Sequence, residues 1–129
     1  MIIHIVMWKL KTQPSVAASD PPTTFTDATA TGVIQATQEQ IAEYQANAMK
    51  EISTALSKVP GPMVPMQFGP PQLPERAKGY NFALYSKFKD RAALHEYDIS
   101  EAHKTTVANI VKPHVEDVMA YDFELPDDA

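Results

Sequence analysis

Residues 2 to 10, IIHIVMWKL, put apolar side chains on both alternating faces of an extended segment. A strand of that kind has to be covered on both sides, so it predicts a central strand rather than an edge. His4 is its polar exception, and by the period of two it shares a face with Ile2, Val6 and Trp8. The chain's 129 residues suit one domain spanning 1–129, because two independent cores would each be too small. The segment also lacks a basic leader and a small-residue cleavage site, so it reads as a first strand and not as a signal peptide. With no stretch of the roughly 18 apolar residues that a membrane span needs, the expectation is a soluble, cytoplasmic protein.

From Lys11 to about Ala36 the chain is dominated by Ser, Thr, Ala and Pro, and neither period holds. We expect a loop inserted at about 12–37, weakly docked as a lid. Thr37 with Gln40 makes a capping-box pattern, and Ile41, Tyr44, Ala48, Ile52, Leu56 and Val59 follow as an amphipathic stripe until Pro60-Gly61. Six prolines lie between 60 and 74, so the one segment there that could pair, Met63 to Phe68 with Pro65 inside it, is demoted to an edge strand. Tyr80 to Phe88 alternates cleanly as a strand. A helix over Asp90 to Tyr97, a break at Asp98 to Ser100, a helical segment capped by Ser100 and stopped at Pro113, and a strand over Val115 to Leu125 complete the order. This β, loop, α, β, β, split α, β succession predicts a ferredoxin-like α+β fold, with a four-stranded antiparallel sheet and helices on one face. The other face, with Ile3, Ile5, Met7, Ala83 and Tyr85, would be left for a second copy of the chain to cover, predicting a homodimer.

Three blocks, HIVMWKLK at the start, KGYNFALYSKF followed by YDISEAHKTTV, and VKPHVEDVMAYDFE at the end, resemble the stress-responsive A/B barrel family of dimeric α/β barrels. The resemblance covers about residues 1–11 and 38–125. The chain departs from it at 12–37, where the family has a short charged connection, and at Ser100-Glu101, where a His-Pro pair is usual. It implies the ferredoxin-like subunit and a homodimer. In the olivetolic acid cyclase-like branch, which closes a linear polyketide by aldol condensation without cofactor or metal, the active-site histidine, tyrosine and histidine are matched here by His4, Tyr97 and His103. Related barrels include cofactor-free oxygenases and decarboxylating or isomerising enzymes, so the reaction does not follow from the fold.

The residues themselves carry both functional and purely structural readings. His103, at N3 of a helix capped by Ser100, sits where the helix end disfavours a charged imidazole; a neutral ring there can serve as a general base or simply complete the capping turn. Tyr97 could donate to a developing enolate oxygen, or be an ordinary core tyrosine with its hydroxyl at the surface. His4 could orient a polar substrate group in an apolar pocket, or be a satisfied core histidine. Trp8, Tyr80 and Tyr85 are candidates to line a substrate pocket or to fill the core. His95 is expected to be exposed. His114, Glu116 and Asp117 would make a metal site only if they shared a face, and extended spacing puts His114 and Glu116 on one face and Asp117 on the other, so no metal is expected. Zero cysteines exclude thiolate sites, and a net charge of -5 without a basic run excludes a nucleic-acid footprint. Three functions remain: a cofactor-free cyclase, lyase or isomerase acting on a carbonyl-rich, polyketide-like molecule; a non-catalytic, stress-associated ligand-binding dimer; and a cofactor-free oxygenase.

Overall fold

A computed structural model describes residues 1–12 and 37–128. The lid expected at 12–37 therefore falls almost wholly outside the described residues. In chain order the elements are β1 (Ile2–Leu10), α1 (Gln38–Ser57), β2 (Gln67–Gly69), β3 (Phe82–Phe88), α2 (Arg91–Ile99), α3 (Glu101–Thr106) and β4 (Val115–Glu124). A single 3₁₀ turn, Pro74–Arg76, lies between β2 and β3, and α3 runs on through a π-helical turn, Val107–Val111, and a 3₁₀ turn, Lys112–His114. The sheet is four-stranded and antiparallel, in the order β2-β3-β1-β4, with three helices, a ferredoxin-like fold. β1 is one of the two inner strands, as its two apolar faces require.

The Thr37 side chain accepts from the Gln40 amide while the Gln40 side chain accepts from the Thr37 amide, so α1 starts with the complete capping box. Its stripe buries Ala48, Ile52 and Leu56 against the sheet, with Val59 just beyond. Asp90 caps α2 through the Ala93 amide, and Ser100 both closes α2 and caps α3 through the His103 amide. The helices cover the even-numbered face of the sheet. There Ile2, Trp8, Phe82, Leu84 and Phe88 pack with Ile52, Leu56, Leu94, Tyr97 and Val111 in one apolar cluster. Pro113 has no N–H to close another α turn on Asn109, and the helix ends there.

Two local expectations need correction. β2 begins at Gln67, so Pro65 lies before the strand instead of inside it; the edge position is as expected, but the proline sets where pairing can start. His114 belongs to the 3₁₀ turn that precedes β4, so it shares no strand face with Glu116. The β1–β4 ladder runs in regular register from Ile2↔Glu124 to Lys9↔Asp117, then shifts so that Leu10 meets Val115, leaving Glu116 as a bulge residue. Asp117 stays opposite Lys9 in the ladder, one residue off the face that carries His4 and Asp122, and Glu116 borders the cavity. Among the described residues no helix is long and apolar enough to cross a membrane, and no three His, Asp or Glu side chains are grouped to hold a metal ion.

The capping box gives a direct check on this account of α1. Thr37→Ala should lower stability by about 1 kcal/mol, read from the urea midpoint at unchanged m-value.

Candidate functional site

A cavity of about 620 Å³ opens between the even face of β1 and β4 and the helical layer. One end is apolar, walled by Val6, Trp8, Leu56, Leu84, Val111 and Val115. The other end brings His4, Tyr97 and His103 together from three different elements. The Tyr97 ring centroid lies 4.5 Å from that of His103 and 6.4 Å from that of His4, and Phe88 packs edge-on or tilted against both His4 and Tyr97. Gly61 makes this placement of Tyr97 possible. Its φ is +138°, and a Cβ there would meet Tyr97 Cδ1 at 3.0 Å.

Each histidine has one ring nitrogen committed. His4 is 6% exposed, and its Nδ1 is bonded to the carboxylate of Asp122, directly opposite in the β1–β4 ladder. A carboxylate accepts, so in the neutral ring Nδ1 carries the proton and Nε2 is the acceptor. His103 Nδ1 lies 3.1 Å from the Asp98 backbone oxygen, which can only accept, so here too Nε2 is left as the acceptor. The two differ in what stabilises a positive ring. Asp122 offers His4 a full negative charge, whereas His103 has a carbonyl dipole and stands in the first turn of a helix.

Tyr97 is 3% exposed, and its hydroxyl is a buried polar atom without a partner among the described residues. Burial, with a smaller contribution from the negative charge of Asp98, pushes its pKa far above the ordinary tyrosine value, so the group stays a phenol and a hydrogen-bond donor.

The aromatic candidates separate. Trp8 lines the cavity and stacks on Phe82. Tyr80 is not in the wall; its hydroxyl donates to Asp117 at 3.3 Å and Lys9 Nζ lies 4.9 Å over its ring. Tyr85 faces away, on the odd side of β3 opposite Ile5, because the period of two sends it to the uncovered face. Neither tyrosine is placed to touch a ligand in this cavity. His95 is exposed on α2. His114 ties α1 to the end of the helical layer. Its Nε2 donates to Glu51 at 3.1 Å, and its Nδ1 accepts from the Tyr44 hydroxyl at 2.7 Å. Burial and Glu51 raise the Tyr44 pKa. Asp122, Asp98 and Glu116 are site residues that the residue pattern did not disclose. Asp122 in particular needs the strand register, since only that puts it across from His4.

A family model, the stress responsive A/B barrel domain (Dabb), matches residues 33–125, and the chain belongs to that family. The match begins after β1, so His4 lies outside it. Among solved structures, a dimeric ferredoxin-like protein from Thermobifida fusca is 19% identical with a TM-score of 0.56, covering 96% of this chain and 90% of that one. A Dabb family protein from Mesorhizobium loti is 19% identical with a TM-score of 0.56, covering 97% and 96%. A hydroxynitrile lyase from Passiflora edulis is 18% identical with a TM-score of 0.57, covering 98% and 94%. At these identities the three show the fold alone. No curated protein matches the chain.

The elevated Tyr97 pKa has a measurable sign. The unfolded chain gives up this proton near pH 10 and the folded chain does not, so stability is lost as pH rises above about 10. Subtracting the ultraviolet titration of Tyr97→Phe from that of the wild type should leave no tyrosinate absorbance at about pH 10.

Proposed function

We propose that this protein is a cofactor-free acid/base enzyme acting on a small, enolisable carbonyl compound, in the manner of a cyclase, lyase or isomerase. The observation that carries the reading is the convergence of two histidine acceptors and one unpartnered phenol on the wall of a largely apolar cavity. Of the two histidines the geometry favours His4 as the base, because its Asp122 partner stabilises the charge that proton transfer creates. This shifts the leading role away from His103, which the sequence favours for its helix position and its place in the family resemblance.

In such a reaction His4 Nε2 takes a proton from a carbon next to a carbonyl, and the C–H electrons move into the carbonyl to form an enolate. Tyr97 donates a hydrogen bond to that oxygen and remains a phenol throughout, as its raised pKa requires. In the cyclase form of the proposal the enolate carbon then attacks a second carbonyl of the same molecule. A C–C bond forms, and the new alkoxide takes the proton back from the imidazolium. His103 accepts a hydrogen bond from a substrate hydroxyl or enol. The proton is returned, no electrons leave the substrate, and the chain's own residues suffice for each transfer.

The matching assay is aldol cyclisation of a linear polyketone, with the spontaneous rate subtracted. His4→Ala should lower kcat by roughly 10²- to 10⁴-fold. Tyr97→Phe should lower it less than that, and His103→Ala should affect KM more than kcat. Full activity in His4→Ala would remove it as the base. A wild type without turnover on any enolisable carbonyl compound would leave a ligand-binding dimer as the reading.

We further propose that the working unit is a homodimer paired through the odd face of the sheet. Tyr85, Met119, Tyr121 and Phe123 stand exposed there around Ile5 and Met7, an apolar surface of the kind that proteins cover. Sedimentation at micromolar concentration should give twice the chain mass, and Tyr121→Glu should lower it toward the monomer; a wild type sedimenting as a stable monomer would contradict the pairing.

A further inference from the structure

The polar end of the cavity is short of hydrogen-bond donors. Nδ1 of His4 is spent on Asp122 and Nδ1 of His103 on the Asp98 carbonyl, so both neutral rings offer an acceptor to whatever binds. Tyr97, nine-tenths buried or more and without a partner among the described residues, is the one phenol in the wall. Charge points the same way. Among the described lining residues Asp98, Glu116 and Asp122 are acidic and Lys112 is basic; Asp117 also borders the cavity, but its carboxylate is engaged by Tyr80 and Lys9 outside the wall. Three carboxylates against one ammonium leave the enclosure negative when they are ionised. A carboxylate or phosphate entering here would meet like charge at close range, in a cavity whose apolar half shields it from water, and beside the Lys112 ammonium and the Tyr97 hydroxyl would find few donors where anions usually collect several.

Resting on the acid/base reading above, we propose that the cavity selects its substrate by charge: it admits uncharged carbonyl compounds that carry a hydroxyl, enol or other donor, and it rejects free acids, phosphate esters and thioesters of phosphate-bearing carriers. The fit is complementary atom by atom. The carbonyl oxygen accepts from Tyr97, a donor on the ligand is received by an Nε2, and the hydrocarbon portion lies along Trp8, Leu56 and Val111. Glu116, the bulge residue beside Val115, belongs to the wall and contributes to that selection.

Binding to the full chain distinguishes this from the catalytic reading, since no turnover is needed. The probes are 4-phenyl-2-butanone and 3-phenylpropanoate, near-isosteres that differ in charge, measured by calorimetry at neutral pH and low ionic strength. The ketone should bind about tenfold or more tightly than the acid. Glu116→Gln should narrow that ratio by improving the acid's affinity, and so should added salt. Equal or tighter binding of the acid would overturn the proposal, as would failure of both probes to bind. Selective ketone binding together with a catalytically silent His4→Ala comparison would overturn the assignment of the base and leave the charge selection standing.

Discussion

The pairing of β1 with β4 is the constraint on which the site depends. Nine residues of β1 meet β4, and the register sets His4 against Asp122, buried imidazole against half-exposed carboxylate. A histidine enclosed by Ile2, Phe88 and Tyr97 would be costly to charge on its own. With the carboxylate at Nδ1 the tautomer is fixed, Nε2 is the free acceptor, and a proton taken up there is compensated. The same ladder, broken by one bulge, brings Glu116 to the cavity. Strand register thus supplies both the base's support and the sign of the cavity.

The helical layer contributes the rest through its ends. Ser100 closes α2 and opens α3, so the chain turns between Tyr97 and His103 and presents both rings to one space. The π turn that follows places Val107 and Val111 on that space before Pro113 stops the helix. Gly61 lets the Tyr97 ring lie against backbone. The phenol that results is buried and protonated, with no hydrogen-bond partner among the described residues, an arrangement with a folding cost that a ligand oxygen would offset.

Much of this was legible in the residues. The capping box at Thr37, the Ser100 break, the unalternating β1 and the edge character of the proline-rich segment each follow from local chemistry, and together they restrict the topology to a ferredoxin-like sheet. His4, Tyr97 and His103 could be singled out chiefly by the resemblance to the olivetolic acid cyclase-like branch; residue type and element position alone left a structural reading open for each. Asp122 could not, because its partner lies 118 residues away and only the register joins them. The bulge at Glu116 could not be read, because a bulge leaves no mark in the pattern of two. Tyr85 went to the uncovered face for the plain reason that alternation fixes the face but not which face holds the cavity. Tyr80 lies just before β3, where Asn81 bonds to both Trp8 and Leu10, and from there its ring pairs with Lys9 and Asp117 outside the wall.

The most direct measurement is a crystal structure of the protein with an uncharged 1,3-diketone bound at neutral pH. The account places one ligand oxygen within hydrogen-bond distance of the Tyr97 hydroxyl and the carbon between the carbonyls against Nε2 of His4, with the Asp122 bond to Nδ1 intact. A ligand seated elsewhere, or a His4 ring turned so that Nε2 meets Asp122 and no ring nitrogen meets the ligand, would contradict it.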